Sequence, residues 1–248
     1  MFTFGSIIGT GIFTLTGPAA HLAGSAIIIS YFVTGLIAMA TALVFAEFSS
    51  IIPKSGSTYL YSYCIFGEFT AWIIGWNYVL TYLVSNAVGT RGLASYTHKL
   101  FTVMGVTCLD PLFDYKAGGF NICPFAAIIL LVCVLIQNRG TKDSKNVNNF
   151  FNALKIILIT FVIIFSFCVW DSKYLTPFTI KKEGVSGLVE SSTVLYYTYI
   201  GFDYTTLLCD EAINPKKDVP KGIKISLSMI IAIYTIFAVG ISGVGDLS

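Results

Sequence analysis

Residues 5–13 read Gly-Ser-Ile-Ile-Gly-Thr-Gly-Ile-Phe, and no Asp, Glu, Lys or Arg occurs before Glu47. Gly9 and Gly11 lie two positions apart, so they would point to different faces of a helix. Non-helical backbone survives at membrane depth only where it is buried in protein or lines a cavity. The glycine pair therefore predicts that the first apolar segment unwinds here. Close packing of another helix against Gly5 and Gly9, which lie four residues apart, is the alternative.

A second interruption is predicted at residues 196–203, which read Tyr-Tyr-Thr-Tyr-Ile-Gly-Phe-Asp. Asp203 would cap the free N–H groups where the helix restarts, and a buried acid paired with a neighbour is the alternative. A pair of broken helices is typical of secondary transporters with inverted repeats. Free N–H groups would face a carboxylate and free carbonyls would face an ammonium. The two breaks together therefore suit an α-amino acid.

The composition predicts a protein that lies in a lipid bilayer. Of the 248 residues, 55% are hydrophobic and 11% are charged, and the mean hydropathy is +0.78. A soluble domain carries about 25% charged residues, so this composition excludes a soluble enzyme and a disordered regulator. The net charge of +2 is too small to indicate a nucleic-acid partner.

Apolar segments between the charged residues predict an all-α membrane protein with seven transmembrane helices. The predicted spans are residues 1–20, 26–49, 69–97, 120–138, 147–170, 187–209 and 223–244. The distribution of Lys and Arg among the loops favours a cytoplasmic N-terminus. The oligomeric state is not predicted.

The sequence indicates neither a metal site nor another cofactor. Six cysteines are scattered without a Cys-x-x-Cys pair, and the two histidines are far apart. Cys108 and Cys123 both fall in the predicted outer loop after the third span. They would either form a disulfide there or remain as two free thiols. An intramembrane enzyme needs a nucleophile with a general base, a pair of carboxylates, or a set of metal-ligating side chains. Asp203 has no second carboxylate at its depth, so we expect no enzymatic activity.

Eight short motifs occur in order along the chain. They are Gly-Thr-Gly-Ile-Phe at 9–13, Ala-Glu-Phe at 46–48, Ile-Pro-Lys-Ser-Gly-Ser at 52–57, Tyr-Leu-Tyr-Ser-Tyr at 59–63, Gly-Trp-Asn at 75–77, Gly-Phe-Asp at 201–203, Asp-Glu at 210–211 and Asn-Pro-Lys-Lys at 214–217. Together they resemble the amino acid–polyamine–organocation superfamily, most closely its cationic amino acid transporter branch.

This resemblance implies a leucine-transporter-like fold of two five-helix inverted repeats, in which the first and sixth helices are broken. Residues 1–170 would be the first repeat, and residues 171–248 would be the first two helices of the second, with the remainder missing. The chain is therefore expected to be a fragment, a truncated gene product or a degenerate relative.

The resemblance also implies that the substrate lies at the two breaks. The backbone expected around its carboxylate is that of Ile7, Gly9, Thr10 and Gly11. The carbonyls expected around its ammonium are those of Tyr197, Thr198 and Ile200. Phe202 resembles the aromatic side chain that closes over the substrate. Among L-amino acids, the branch favours arginine, lysine and ornithine, with neutral amino acids next.

Two further charged residues lie within or beside predicted spans. A lone lysine at a span centre costs about 2.5–3.5 kcal/mol, so Lys155 indicates a function, with snorkelling towards water as the alternative. Some bacterial relatives have a lysine at the matching place, which implies an ammonium that replaces a coupling sodium. Animal members of the branch lack it, so proton coupling and facilitated diffusion both stay open. Glu47 is expected to pair with Lys54 or Arg139, as a structural or gating contact.

Two functions compete with transport by this chain. A truncated relative would act as an interaction partner of a full-length transporter, and a seven-helix receptor would place its N-terminus outside.

The plasma membrane and the vacuolar or lysosomal membrane are the expected locations. A basic cluster after the sixth span either contacts anionic lipid or determines topology alone. Its members are Lys216, Lys217, Lys221 and Lys224.

Overall fold

The computed structural model describes residues 2–9, 11–105, 110–113, 115–117, 120–138, 141–171, 173, 184–207 and 209–244. The chain divides into two compact units, one formed by Met1–Ala71 with Asn149–Ser248 and the other by Trp72–Asn148. The predicted repeats at 1–170 and 171–248 are related by internal symmetry, whereas the two compact units are defined by packing. The repeats therefore stay a prediction. Cys108 lies outside the described residues.

The first unit is built from helices that enclose a single core. They are α1 (Phe2–Ile7), α2 (Gly11–Ala23), α3 (Ile27–Ile51), α4 (Ser57–Phe66), the start of α5 (Glu68–Val103), most of α8 (Thr141–Cys168), α9 (Gly184–Tyr199), α10 (Asp203–Leu207) and α11 (Pro215–Ser242). Short 3-10 turns occupy Gly24–Ala26 and Cys209–Glu211. Helix α3 packs between α9 and α11, with α2 also against α9.

The second unit contains most of α5, α6 (Asp110–Phe113), an antiparallel hairpin and α7 (Pro124–Asn138). The hairpin pairs β1 (Tyr115–Ala117) with β2 (Phe120–Ile122). The Arg91 guanidinium on α5 donates to the carbonyl of Asn121 on β2 at 3.2 Å. Phe113 is buried between His98 and Phe125, with ring centroids 5.0 and 4.7 Å away.

The helix lengths support membrane insertion. Among the described residues, the segments Gly11–Ile51, Asn149–Cys168 and Pro215–Ser242 are long and apolar enough to cross a membrane, and Pro124–Leu135 is a shorter apolar helix. The first of these has 41 residues, about twice the length that one span needs. Gly24, with φ +59°, interrupts it between the predicted first and second spans. The count of seven spans stays a prediction.

Several predicted boundaries differ from the helices observed. The predicted fourth span began at residue 120, but residues 120–122 form strand β2 and the helix begins at Pro124, because proline suits the first turn of a helix and cannot lie inside a ladder. Helix α11 begins at Pro215, eight residues before the apolar segment predicted at 223. Hydropathy detects only the apolar part of a helix whose polar end extends into water.

Three tyrosines form the centre of the first unit. Tyr31, Tyr199 and Tyr234 are fully buried, and their ring centroids lie 5.1–6.5 Å apart. The Tyr199 hydroxyl donates to the Tyr31 carbonyl at 2.9 Å, and the Tyr234 hydroxyl donates to the Ile7 carbonyl at 3.5 Å. Tyr31 Oη lies 2.6 Å from Thr16 Oγ1. The buried hydroxyls are therefore satisfied while the rings pack edge to face.

Small and hydroxylic residues let α3 approach its neighbours closely. Ser30 Oγ lies 2.5 Å from Ser191 Oγ on α9, and Thr34 Oγ1 donates to the carbonyl of Ser192 at 3.1 Å. A β-carbon on Gly35 would lie 2.8 Å from Ile231 Cγ1 on α11. Helices inside a bilayer associate through such close packing and interhelical hydrogen bonds.

Candidate functional site

The first predicted break is present between α1 and α2. Helix α1 ends at Ile7, after which the Ile8 N–H donates to Phe4 O at 3.2 Å and the Gly9 N–H donates to Ile7 O at 2.7 Å. Helical hydrogen bonding resumes in α2, which begins at Gly11. Thr10 lies outside the described residues, so its predicted contact with a substrate carboxylate stays a prediction.

The second predicted break separates α9 from α10. Helix α9 ends at Tyr199, and the following Ile200 N–H donates to Tyr197 O at 3.4 Å. Gly201 adopts φ +135°, a conformation that residues with a β-carbon rarely adopt. Asp203 is buried in the first turn of α10, where a negative charge is favoured by the helix dipole.

The two breaks meet backbone to backbone. Ser6 Oγ lies 3.0 Å from the Gly201 carbonyl oxygen and 2.9 Å from the Thr3 carbonyl oxygen, and it can donate to either. A β-carbon on Gly201 would lie 2.6 Å from Ser6 O, and one on Gly11 would lie 3.0 Å from Thr198 Cα. Gly201 therefore permits an approach that a larger residue would prevent, and at Gly11 a larger residue would be tightly packed.

The structure brings most of the predicted substrate residues to this crossing. Gly11 stands at the first break beside Thr198 of α9, and Ile7 stands there beside Gly201. Ile200 is 38% exposed, and Phe202 is buried with its ring 5.4 Å from that of Phe45 on α3. The closure of Phe202 over a substrate stays a prediction. An apolar groove of about 370 Å³ between α3 and α9 contains Tyr196 but none of the predicted substrate residues.

Lys155 on α8 contacts the first broken helix. Its Nζ donates to the carbonyl of Gly5 at 3.4 Å, two residues before α1 ends. One turn earlier, the buried Asn152 amide occupies the space next to Gly5, since a β-carbon there would lie 2.1 Å from Asn152 Nδ2. The Lys155 ammonium therefore contacts α1, and its functional role stays a prediction.

Glu47 lies on the exposed side of α3, near its end at Ile51. Within the part of the chain that the structure describes, no ion pair joins Glu47 to Lys54. Arg139, the other predicted partner, lies outside that part. The pairing with Arg139 and a gating role for Glu47 therefore stay predictions.

Two contacts that the sequence analysis missed connect α10 to the start of α4, and the following turn to the loop after α3. The Thr206 and Ser57 hydroxyl oxygens are fully buried and lie 2.7 Å apart. Asp210 Oδ2 accepts hydrogen bonds from the Ser55 N–H at 3.3 Å and from the Ser55 hydroxyl at 2.5 Å. The only sequence signal was that Ser55, Ser57 and Asp210 lie in two of the quoted motifs, whereas Thr206 lies in none. Ser6 had no distinguishing signal beyond its place among glycines.

Residues 1–246 match the family model described as amino acid permease. The chain belongs to the amino acid permease family. It is 35% identical over 249 residues to cationic amino acid transporter 7, chloroplastic, of Arabidopsis thaliana, covering 96% of this chain and 42% of that protein. It is 35% identical over 243 residues to the methylthioribose transporter of Bacillus subtilis (96% and 52% covered). It is 32% identical over 244 residues to the branched-chain amino acid permease BcaP of the same bacterium (97% and 52% covered).

Membership of the permease family confirms the resemblance inferred from the motifs and makes the chain an all-α, multi-pass membrane protein. The chain spans about half the length of the curated relatives named here. The names of these three relatives mention different substrates: cationic amino acids, methylthioribose and branched-chain amino acids. Family membership therefore does not by itself select a cationic substrate.

Proposed function

We propose that this chain forms the substrate-binding part of a secondary transporter that moves L-amino acids by alternating access. The observation that carries the proposal is the contact between the two helix breaks, where Ser6 Oγ lies 3.0 Å from the Gly201 carbonyl oxygen. The non-helical Gly201 packs here against Ser6 and Ile7, at the end of α1 where the first break begins. Non-helical backbone provides polar groups that a continuous helix would use internally.

The helix ends at this crossing match the two charges of an amino acid. Helix α2 begins at Gly11, and its first N–H groups and positive dipole end favour a carboxylate. Helix α9 ends at Tyr199, and its last carbonyls and negative dipole end favour an ammonium. Gly11 approaches Thr198 of α9 closely enough that a β-carbon would lie 3.0 Å from its Cα. Both ends are therefore within reach of one small zwitterion.

We favour a cationic amino acid, with arginine, lysine and ornithine ahead of neutral amino acids. The motif pattern supports this choice, and so does similarity to cationic amino acid transporter 7 of Arabidopsis thaliana. The test is binding and uptake of radiolabelled L-arginine by the chain in proteoliposomes, with D-arginine and L-leucine as competitors. We expect saturable binding that L-arginine displaces better than either competitor. Retention equal to that of empty vesicles would contradict the proposal.

The same preparation distinguishes the two competing functions. A partner of a full-length transporter would show no uptake alone but would co-purify with a co-expressed relative and change its uptake. A receptor would expose an N-terminal epitope on the outer side of the cell. A transporter with a cytoplasmic N-terminus, in the plasma membrane or the vacuolar or lysosomal membrane, would protect that epitope from added protease.

The contact between Lys155 and α1 supports a role in proton coupling. A charged Nζ donates to Gly5 O at 3.4 Å, and loss of its proton would remove the charge that strengthens this hydrogen bond. Helix α1 would then be held less firmly against α8. Protonation of Lys155 from water on one side and release of the proton on the other would couple protons to amino-acid movement.

A further inference from the structure

The first turns of α11 carry four exposed lysines: Lys216, Lys217, Lys221 and Lys224. At 3.6 residues per turn, Lys217, Lys221 and Lys224 lie on one side of the helix, whereas Lys216, in the first turn, lies about 100° around the helix from Lys217. The buried residues Val219, Ile223 and Leu227 lie on a different side. We call the four lysines the lysine row. All four side chains are exposed, and those of Lys217, Lys221 and Lys224 point away from the protein core.

None of the described acidic side chains around the lysine row forms an ion pair with it. Asp218 Oδ2 accepts a hydrogen bond from the Asn214 N–H at 3.2 Å, at the start of the same helix. Asp210 Oδ2 accepts from the N–H and hydroxyl of Ser55. Among the described side chains, no ion pair includes a residue of the lysine row. The positive end of the α11 dipole adds to the same field.

The lysine row stands where α11 changes from polar to apolar. Directly after Lys224, the outward-facing Ile225 and Met229 are 60% and 52% exposed, and the segment Pro215–Ser242 is apolar enough to cross a membrane. Lysines followed by exposed apolar residues along one helix match the order of headgroup and acyl chain in a lipid leaflet.

A cavity that is open to the outside lies next to the start of the lysine row. It has a volume of about 440 Å³ and is lined by Pro53 of the loop after α3 and by residues at the start of α11. The α11 residues are Asn214, Pro215, Lys216 and Lys217. A headgroup in this cavity would contact two lysines while its acyl chains follow the exposed apolar side of the helix.

We propose that the lysine row and this cavity bind the headgroup of an anionic phospholipid from the surrounding leaflet. The proposal commits to a lipid, because the apolar surface that continues from the lysines offers nothing to a free anion. It does not depend on which amino acid, if any, the permease-family chain carries. Lipid binding would anchor the start of α11, which packs against α1 and α3.

The test compares the unmodified chain with a triple variant that combines Lys217→Gln, Lys221→Gln and Lys224→Gln. Each protein is purified in detergent, mixed with phosphatidylserine or phosphatidylcholine, and examined by thermal unfolding and by native mass spectrometry of retained lipid. Phosphatidylserine should raise the unfolding midpoint of the unmodified chain more than phosphatidylcholine does. The triple Gln variant should lose roughly 100-fold in affinity for phosphatidylserine, and high salt should weaken binding to the unmodified chain.

Two controls separate charge from position. A triple Arg variant at the same positions keeps the charges and should retain phosphatidylserine, and Lys99→Gln, an exposed lysine of α5, should bind as the unmodified chain does. If the triple Gln variant does not fold, the three single Gln variants replace it. Equal retention of both lipids would overturn the proposal. So would full retention by the Gln variants, or equal stabilisation by inorganic phosphate.

Discussion

Gly201 packs its α-carbon against the backbone of Ser6, so that a β-carbon at position 201 would lie 2.6 Å from the Ser6 carbonyl oxygen. Its φ of +135° is also one that only glycine adopts readily. Position 201 therefore has two independent requirements for glycine, one from local conformation and one from the crossing of two helices. The candidate substrate site depends on both.

Gly201→Ala should destabilise the chain by about 2–4 kcal/mol and abolish binding of L-arginine, because the new methyl group separates the two breaks. Thermal unfolding and radioligand binding measure the two effects. The matched control is Gly17→Ala in α2, where a β-carbon would meet nothing within 4 Å. That variant should unfold within about 1 kcal/mol of the unmodified chain. Normal L-arginine binding by Gly201→Ala would refute the assignment of the site.

Gly5→Ala should be rescued by a second change at Asn152. The added methyl group would meet the Asn152 amide at 2.1–2.5 Å, so the single variant should lose about 1–3 kcal/mol. Asn152 Oδ1 is buried and has no hydrogen-bond partner among the described residues. Removing the amide with Asn152→Ala should then relieve the clash in the double variant. Chemical unfolding of all four proteins measures the coupling, and strictly additive losses would show that the two residues do not touch.

Thr206→Val should cost about 1–3 kcal/mol of stability, because it leaves the buried Ser57 hydroxyl without its neighbour at 2.7 Å. The preceding residue, Thr205, provides a matched control. Its Oγ1 is buried without a hydrogen-bond partner in the described part of the chain, so Thr205→Val should be neutral or stabilising. Thermal unfolding compares the two variants, and a larger loss for Thr205→Val would reverse the interpretation.

Tyr199→Phe should destabilise the chain more than Tyr234→Phe. The Tyr199 hydroxyl donates at 2.9 Å to the Tyr31 carbonyl, whereas the Tyr234 hydroxyl donates at 3.5 Å to the Ile7 carbonyl. The shorter hydrogen bond should contribute about 1 kcal/mol, and the longer one less. Both rings stay in place in the Phe variants, so differences in unfolding midpoint report the hydroxyls. Equal midpoints for the two variants would contradict the predicted ranking.

Lys155→Met should remove the pH dependence of L-arginine uptake, or of binding if the chain binds without transport. The variant keeps a long apolar side chain but loses the ammonium that donates to Gly5 O. Lys99→Met changes an exposed lysine on α5 and should keep the profile of the unmodified chain. The profile is measured across a pH series at constant ionic strength. If Lys155→Met keeps that profile, Lys155 does not couple protons.

Local patterns in the sequence predicted much of the fold. The glycines at 9 and 11 and the pair Gly201 and Asp203 predicted the two breaks, and both occur where expected. The apolar segments predicted helices, but they misplaced the starts of α7 and α11. Proline and polar residues decide those starts, and hydropathy does not detect them. Among the described residues no ion pair joins Glu47 to Lys54, since both side chains are exposed and water competes for them, and the alternative pairing with Arg139 stays a prediction.

The sequence by itself determined that the chain is a membrane protein, where it unwinds, and which family it belongs to, because hydropathy, glycine content and short motifs are local properties. Only the tertiary structure decided that Ser6 reaches Gly201, that Asn152 fills the space beside Gly5, and that Ser57 meets Thr206. These pairs are about 150 to 195 residues apart. Their contacts follow from how the helices cross, and no short stretch of sequence encodes a crossing.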